Sequence, residues 1–321
     1  MSRSIALLLL VGLLVPACSG DGNSSGDLKS ACASLLACTE AFDSVSTCVE
    51  TTEALGDFDL AGHSYLLTTM GNHQLALLQN AACISEAGTD CQEVLACLND
   101  GAAVEDCTQI NTFGSRVCDG DKLVGCTDIG RNHQWIETTV DCAALGLTCI
   151  EIDFDGLGGF LPTCGQGMAD STADGLSVEC DGDVAQIQMR DGMVEFDCGF
   201  YSSTCVAGDF LLYEGLAFCE GKGADCDSDV FADQCDGDTH VWCQAGAEGG
   251  MSCDQLGQTC TSAGGTVACG YEACTPLTYE DNCSDGVITY CAADGEVELD
   301  CKAHGFTGCE PYGSRGARCF P

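Results

Sequence analysis

The chain has 321 residues, and its 50 Asp and Glu against ten Lys and Arg give a formal net charge of −40 at pH 7. This charge opposes binding to nucleic acid or to anionic lipid head groups. The 29 cysteines argue against a reducing cytosol, since such a density is typical of disulfide-bonded proteins in an oxidising compartment.

Residues 1–17 are predicted to be a secretory signal. The stretch MSRSIALLLLVGLLVPACSG has Arg3, an apolar run from Ile5 to Leu14, and a small residue before Cys18. The apolar core is too short to span a membrane well. The end of this stretch is similar to the lipobox of bacterial lipoproteins, in which the cysteine is lipidated and becomes the first residue. The resemblance implies that the protein is held at a membrane through lipidated Cys18.

The number of cysteines agrees with that assignment. An odd number in an exported chain leaves one cysteine without a disulfide partner. If Cys18 carries lipid, 28 cysteines remain, which is an even number. The segment SGDGNSSGD that follows has little to bury, so residues 18–30 are predicted to be a flexible tether.

Residues 31–107 are predicted to form a helical, cysteine-rich domain, because apolar residues recur there at three- and four-residue spacing. Two stretches, ending at Cys48 and Cys107, share the pattern C-x5-C-x9-C. This pattern predicts a duplicated helical hairpin, with one helix from about Ser64 to Cys83 between the copies. A domain of this size has a marginal apolar core, so disulfides are expected to stabilise it.

From about residue 108 onward, short apolar runs alternate with glycine-containing turns, which is typical of β-hairpins. Four core cysteines recur four times, and the predicted repeats are 108–170, 171–225, 226–273 and 274–321. The fold class is therefore α+β and disulfide-rich: a small N-terminal helical domain followed by four tandem β-hairpin repeats. The core cysteines are Cys118, Cys142, Cys149 and Cys164; Cys180, Cys198, Cys205 and Cys219; Cys235, Cys253, Cys260 and Cys269; and Cys283, Cys301, Cys309 and Cys319.

A hairpin turn is predicted beside the first core cysteine of each repeat. Repeats 1, 2 and 3 have the sequence CDGD there, and repeat 4 has CSDG. All four keep an Asp-Gly step, which is expected to form the turn because glycine tolerates a positive φ. A calcium loop would need the second carboxylate, which repeat 4 lacks. Further along, Gly146 and Gly257 are expected to adopt the left-handed conformation after a single helical turn.

Repeats 1, 3 and 4 have two additional cysteines, one upstream of the repeat and one eight residues after its first core cysteine. Repeat 2 has Ser171 and Gln188 at these places. Because both cysteines are absent from the same repeat, they are predicted to be bonded to each other. The predicted linker disulfides are Cys107–Cys126, Cys226–Cys243 and Cys274–Cys291.

The four core cysteines of a repeat allow three pairings. We favour first with second and third with fourth, because each disulfide would then close one hairpin. Disulfides that close loops of this length stabilise a fold by roughly 3 kcal/mol each. The cysteines are therefore interpreted as the framework of the fold and not as reactive thiols.

Motifs for catalysis or metal binding are absent from the sequence. No two cysteines have the two-residue separation of zinc and redox sites, and HExxH, G-x-S-x-G, P-loop and dinucleotide-binding motifs do not occur. The chain is predicted to be non-enzymatic, with no catalytic, cofactor-binding or metal-ligating residues. The acidic run Asp225 to Asp238 breaks the EF-hand pattern at Phe231 and Ala232, so solvated acidic turns are expected there, with a looser carboxylate site for calcium as the less favoured alternative.

Two other functions stay open. Trp135 and Trp242 lie in predicted hairpin strands, and Tyr290 matches Trp242 in repeat 4. Rings repeated on one face could stack on sugars, which gives a calcium-dependent carbohydrate-binding module as one alternative. The other alternative is a secreted hydrolase or protease-inhibitor-like protein on a cysteine-rich scaffold.

The lipobox, the tether, the C-x5-C-x9-C region and the tandem C-D-G…C…D-C-x3-G…C array together resemble the cysteine-rich surface lipoproteins of myxobacteria and related bacteria. The resemblance implies a lipid-anchored, extracytoplasmic protein at the outer membrane or cell surface, and Ser19 after the cysteine agrees with outer-membrane sorting. We therefore expect a surface lipoprotein for envelope structure, adhesion or recognition, with a protein or polysaccharide partner.

Overall fold

A computed structural model describes residues 25–57, 59–102, 107, 116–130, 134–154, 159–167, 177–189, 192–210, 213–263, 266–271, 274–275, 278–293 and 295–320. The predicted signal and the lipidation position Cys18 lie outside these residues. The described part is an N-terminal helical domain followed by small antiparallel hairpins, so the predicted disulfide-rich α+β class is confirmed.

The helical domain contains α1 (Ser25–Cys38), α2 (Val45–Asp57), α3 (Leu66–Thr69), α4 (Asn72–Ala87) and α5 (Cys91–Leu98). Because α1 begins at Ser25, the tether predicted for 18–30 ends earlier than expected. The single helix predicted from Ser64 to Cys83 is wrong. Met70 and Gly71 have extended backbone and separate α3 from α4.

A half-buried arginine from repeat 1 donates hydrogen bonds to the end of α3. The guanidinium of Arg116 donates to the carbonyls of Leu67 and Thr68 at 3.1 and 3.4 Å, and also to that of Met70. These carbonyls belong to the last turn of a short helix, where intrahelical partners are missing. The break between α3 and α4 is therefore stabilised from outside the helical domain.

The two C-x5-C-x9-C stretches do not have equivalent disulfides. Cys32 is bonded to Cys48 within its own copy, but its counterpart Cys91 is bonded to Cys38 of the other copy. The other two cysteines of the second copy are bonded to cysteines outside it: Cys97 to Cys83, and Cys107 to Cys126 of repeat 1. The spacing is duplicated, but the covalent connections are not.

Each repeat consists of three antiparallel strands, one 3₁₀ turn and a closing hairpin. Repeat 1 has β1 (Arg116–Asp119), β2 (Lys122–Gly130), β3 (Gln134–Asp141), β4 (Thr148–Phe154) and β5 (Gly159–Gly167). Repeat 2 has β6 (Ser177–Asp181), β7 (Val184–Met189), β8 (Gly192–Asp197), β9 (Ser203–Phe210) and β10 (Tyr213–Gly221). Repeat 3 has β11 (Gln234–Asp236), β12 (Thr239–Gln244), β13 (Ala247–Ser252), β14 (Thr259–Ala263) and β15 (Thr266–Gly270). Repeat 4 has β16 (Asn282–Ser284), β17 (Val287–Ala292), β18 (Gly295–Asp300), β19 (Gly308–Tyr312) and β20 (Gly316–Phe320).

The first hairpin turn differs from the Asp-Gly turn that the sequence predicts. In repeat 1, Asp119 pairs with Lys122, so the two turn residues are Gly120 and Asp121. Gly120 has φ +61°, and Asp121 is not among the residues with positive φ. This combination is the type II′ pattern, which has a positive φ only at its first central position. Repeats 2 and 3 follow the same pattern.

Repeat 4 uses a different turn of the same length. Ser284 pairs with Val287, so Asp285 and Gly286 are the turn residues, with φ +55° and +88°. Two positive φ values indicate type I′. The change from CDGD to CSDG therefore moves the glycine by one position and changes the turn type, while the strand register is kept.

The turn is fixed to the rest of the repeat by a recurrent hydrogen bond. In every repeat the N–H of the second core cysteine donates to the carbonyl of the second turn residue, at 2.9–3.0 Å. The chain then forms the 3₁₀ turn, followed by a left-handed residue at Gly146 and Gly257, as predicted, and at Ser202 and Gly305. The four donor–acceptor pairs are Cys142–Asp121, Cys198–Asp183, Cys253–Asp238 and Cys301–Gly286.

The helical domain shares one hydrophobic core with repeats 1 and 4. Burial of each large apolar side chain stabilises this association by about 1.5–3 kcal/mol. The repeats are therefore not a string of independent units, because the first and the last pack on the same helices. Fully buried members include Leu35 and Leu75 of the helices, Leu123 and Ile136 of repeat 1, and Ile288 and Tyr290 of repeat 4.

Repeat 2 is attached by sheet pairing and aromatic contacts. Strand β5 of repeat 1 pairs with β8, which makes a five-stranded sheet. On the other side, the N–H of Tyr65 donates to the carbonyl of Glu195 at 3.0 Å, and the N–H of Glu195 donates to Ser64 Oγ at 2.9 Å. The rings of His63 and Phe200 are 4.9 Å apart. Repeat 2 thus contacts the segment between α2 and α3.

Candidate functional site

The cysteine inventory is the first functional observation. The 28 cysteines after Cys18 form 14 disulfides. These 14 pairs leave no cysteine that could form a disulfide with Cys18, which lies outside the described residues. The predicted linker disulfides Cys107–Cys126, Cys226–Cys243 and Cys274–Cys291 are the pairs found in the structure.

The favoured pairing of the core cysteines is wrong in all four repeats. The first is bonded to the third, and the second is bonded to the fourth. Each disulfide therefore connects the closing hairpin to the preceding part of the repeat, and none closes a single hairpin. The pairs are Cys118–Cys149 and Cys142–Cys164, Cys180–Cys205 and Cys198–Cys219, Cys235–Cys260 and Cys253–Cys269, and Cys283–Cys309 and Cys301–Cys319.

The strand register explains why the favoured pairing was attractive and why it fails. In repeat 3, Cys260 and Cys269 lie directly opposite each other in the closing hairpin. Cys269 is bonded instead to Cys253 at the start of the 3₁₀ turn, and both are buried. The bond between second and fourth cysteines is buried in every repeat, so it takes the place of an apolar core beneath the hairpin.

A network of polar side chains connects α2 to repeat 3. Gln258, just after the 3₁₀ turn Cys253–Leu256, donates to Glu50 Oε1 at 3.2 Å. Tyr271, just after β15, donates its hydroxyl to Glu53 Oε2 at 2.9 Å. Glu50 and Glu53 are three residues apart, so they share one face of α2. Gln258 and Tyr271 are both buried, so this contact is largely withdrawn from water.

Burial changes the acidity of the groups in this network. Desolvation raises the pKa of Glu50 to about 7, the hydrogen bond from Gln258 opposes this change, and the nearby Glu53 carboxylate adds to it. The pKa of the Tyr271 hydroxyl is also raised, first by burial and then by the charge of Glu53. Glu50 therefore changes charge near neutral pH, in contrast to an ordinary exposed glutamate.

Repeat 4 provides an acidic cap for α2. Asp281 Oδ2 accepts from the backbone N–H groups of Val45 and Ser46 at 2.9 and 3.4 Å, and Asp281 Oδ1 accepts from Ser46 Oγ. Ser46 Oγ in turn accepts from the N–H of Cys291 at 2.9 Å. A carboxylate at a helix N-terminus satisfies unpaired donors and interacts favourably with the helix dipole. Burial nevertheless raises the pKa of Asp281 against these hydrogen bonds.

The aromatic residues do not form the repeated face that the sequence suggests. Tyr290 is 0 % exposed and belongs to the shared core, so its ring is not available to a ligand. Trp242 is half-buried, with its ring 6.1 Å from Tyr201 of repeat 2 and 5.2 Å from His240. Trp135 is half-buried in repeat 1. The row from Tyr201 to His240 therefore belongs to the junction between repeats 2 and 3.

That junction also contains a shallow groove of about 280 Å³. Its lining includes Ser202, Lys222 and Glu248, and Lys222 is paired with Asp183 at 2.6 Å. The linker beneath it follows the edge of β13, since the N–H of Gly223 donates to the carbonyl of Glu248 at 2.8 Å. Nothing in this lining brings a nucleophile and a base together.

The acidic run Asp225 to Asp238 is exposed almost throughout. Val230, near its middle, is 79 % exposed. Asp227 Oδ1 accepts from the N–H of Asp229 at 3.0 Å, and Asp233 contacts His240 at 3.1 Å. Within the described ranges no group of three or more His, Cys, Asp or Glu side chains is arranged to hold a metal ion.

One Ser–His contact in the described fold bears on the hydrolase alternative. Ser30 Oγ lies 3.1 Å from His304 Nδ1. Ser30 is buried where α1 meets repeat 4, so a substrate cannot reach its hydroxyl. The contact holds two parts of the fold together. The half-buried carboxylates Glu50 and Asp281 likewise lie at internal contacts with repeats 3 and 4.

Comparisons with protein-family models, curated proteins and solved structures found no match for this chain. Among the residues that the structure describes, no helix is long and apolar enough to cross a membrane. The polar network on α2 has no signature in the sequence, because acids three apart on a helix are usually solvated. Its partners Gln258 and Tyr271 come from a repeat about 200 residues away.

Proposed function

We propose that this protein is a lipid-anchored surface protein of a bacterial envelope, with a non-enzymatic role in envelope structure, adhesion or recognition. The observation that carries this proposal is the pairing of every cysteine except Cys18. A thiol left over by 14 disulfides, placed directly after a signal-like segment, is the position that lipidation requires. The disulfides themselves suit an oxidising compartment.

The charge supports a role at a hydrated surface. A net charge of −40 keeps the protein soluble and repels other acidic surfaces, so the lipid would have to supply the attachment to a membrane. A partner bound through charge would be basic or cationic. The described fold offers shallow surfaces and a rigid covalent framework, which suit recognition better than catalysis in an enclosed pocket.

The test is the chemical form and location of the N-terminus in the source bacterium. Mass spectrometry of the mature protein is expected to find an acylated Cys18, and cell fractionation is expected to place the protein with membranes. Cys18→Ser should abolish both, whereas the matched variant Ser19→Ala should leave acylation intact. A mature chain with an unmodified Cys18 would contradict the proposal.

Carbohydrate binding is a second candidate, favoured by the row of rings from Tyr201 to His240 at the junction of repeats 2 and 3. The protein would then sediment with envelope polysaccharide, and Trp242→Ala would weaken this binding more than Trp135→Ala. Equal binding by both variants would remove this candidate. Repeating the measurement with added calcium or a chelator tests the calcium-dependent form of the idea.

A further inference from the structure

We propose that the contact between α2 and repeat 3 is a pH-sensitive contact, closed when Glu50 carries a proton and loosened when Glu50 is ionised. The proposal concerns the internal regulation of the fold and does not depend on lipidation or on any ligand. Among the described residues, repeat 3 contributes none to the buried hydrophobic clusters, so its attachment to α2 is polar.

The geometry places two carboxylates where only uncharged donors oppose them. Gln258 donates to Glu50, and Tyr271 donates to Glu53. The groups that face Glu50 are Glu53 on its own helix and Gln258 and Tyr271 on repeat 3. Repeat 4 adds the buried Tyr290, whose hydroxyl has its pKa raised by burial and by the charges of Glu53 and Asp281. Every titratable group in this set is acidic, so ionisation of Glu50 adds a negative charge that no group in this described set neutralises.

The direction of the pH effect follows from linkage. The pKa of Glu50 is raised from 4.5 to about 7 in the folded protein. The folded state therefore binds the proton more tightly than an opened state in which Glu50 meets water. This stabilisation is complete below pH 4.5, and it is lost progressively as the pH rises to about 7. The contact is accordingly closed in mild acid and loosened above neutral pH.

The loosening is confined to one side of repeat 3. The linker keeps its backbone pairing with β13, where the N–H of Glu248 donates to the carbonyl of Ala224 at 2.8 Å. The rings of Tyr201 and Trp242 also hold repeat 3 to repeat 2. Repeats 1 and 4 stay on the helices through their apolar core. Ionisation of Glu50 therefore releases repeat 3, with its exposed acidic run, from α2 alone.

Hydrogen exchange of the full oxidised chain tests the proposal, with disulfides reduced only after quenching. After correction for intrinsic exchange, opening of α2 and of the turn Cys253–Leu256 is expected to increase about tenfold between pH 6 and pH 8. Strands of repeat 4 should show no comparable increase. Glu50→Gln imitates the protonated side chain and should keep both segments protected at pH 8.

Two further variants complete the test. Glu93→Gln, at an exposed position of α5, should retain the tenfold change of the original protein. Gln258→Leu removes the hydrogen bond that favours ionised Glu50, so the midpoint of the transition should move to higher pH. The proposal is overturned if the original protein shows equal protection at pH 6 and pH 8. It is also overturned if Glu50→Gln keeps the full tenfold change.

Discussion

Repeats 3 and 4 have the same strand order and the same three disulfides, but they attach to the helical domain in different ways. Repeat 4 places Ile288, Tyr290 and Leu299 in the core that it shares with the helices. Repeat 3 touches α2 through hydrogen bonds from Gln258 and Tyr271. The disulfides therefore determine the internal fold of a repeat, and its outward side chains determine where and how firmly it docks.

One position in each repeat reflects this difference in docking. The residue five places after the first core cysteine lies directly opposite that cysteine in the first hairpin. It is a fully buried aliphatic residue in repeats 1 and 4, a buried alanine in repeat 2, and a half-buried histidine in repeat 3. The four residues are Leu123, Ala185, His240 and Ile288.

The largest effect is expected from removing the buried disulfide of either repeat. Cys301–Cys319 and Cys253–Cys269 span similar sequence separations, 18 and 16, so their loss should cost a similar free energy of unfolding, about 3 kcal/mol. The double alanine variant of repeat 4 should also lower the guanidinium midpoint of the helical circular dichroism signal. The matched variant of repeat 3 should leave that midpoint nearly unchanged.

These two double variants test whether repeats 3 and 4 support the helical domain differently. Equal losses of helical signal would mean that repeat 3 supports the helices as strongly as repeat 4 does. The polar character of its contact would then be irrelevant to stability.

The next effect is expected at the position opposite the first core cysteine. Ile288→Ala leaves a cavity in the shared core and should lower the free energy of unfolding by about 2–4 kcal/mol. His240→Ala, at the equivalent place in repeat 3, removes a partly exposed contact with Asp233 and should cost less than about 1 kcal/mol. Chemical denaturation at pH 7 measures both, and similar costs would contradict the difference in docking.

The smallest effects are expected from removing two tyrosine hydroxyls, one that donates a hydrogen bond and one that has no hydrogen-bond partner among the described residues. Tyr271→Phe removes the donor to Glu53 and should destabilise the protein by about 1 kcal/mol. The Tyr290 hydroxyl is buried and has no hydrogen-bond partner among the described residues, so Tyr290→Phe should be neutral or slightly stabilising. Thermal unfolding compares the two variants, and a loss of stability on Tyr290→Phe would reveal a partner for that hydroxyl.

The sequence predicts the internal design of the repeats better than their arrangement. The linker disulfides follow from two cysteines missing together in repeat 2, and the left-handed Gly146 and Gly257 follow from glycines placed after a single helical turn. The pairing of core cysteines favoured from the sequence is wrong because cysteines that lie opposite each other in a hairpin, such as Cys260 and Cys269, are not bonded to each other. The spacing of cysteines in the sequence indicates which of them are close along the strands. It does not indicate which sulfur atoms are bonded to each other beneath the strands.

The arrangement around the helices depends on contacts between residues far apart in the chain. The pattern of Ile288 and Tyr290 predicts a strand with one apolar face, but not that this face packs under α2. Likewise Glu50 has the sequence context of an exposed helical acid, and its pKa is raised mainly because the assembled fold withdraws it from water. The candidate site was therefore missed, since each of its residues is ordinary until the repeats are assembled.

The acidic cap of α2 has a consequence for the order in which the chain assembles. Asp281 lies 236 positions after Val45, whereas the widest disulfide, Cys38–Cys91, spans 53. Each disulfide can thus form soon after its two cysteines emerge, beginning at the N-terminus. The first turn of α2 receives its carboxylate only when the last repeat arrives. A chain that stops before repeat 4 would have its earlier disulfides in place and a first turn of α2 without its capping carboxylate.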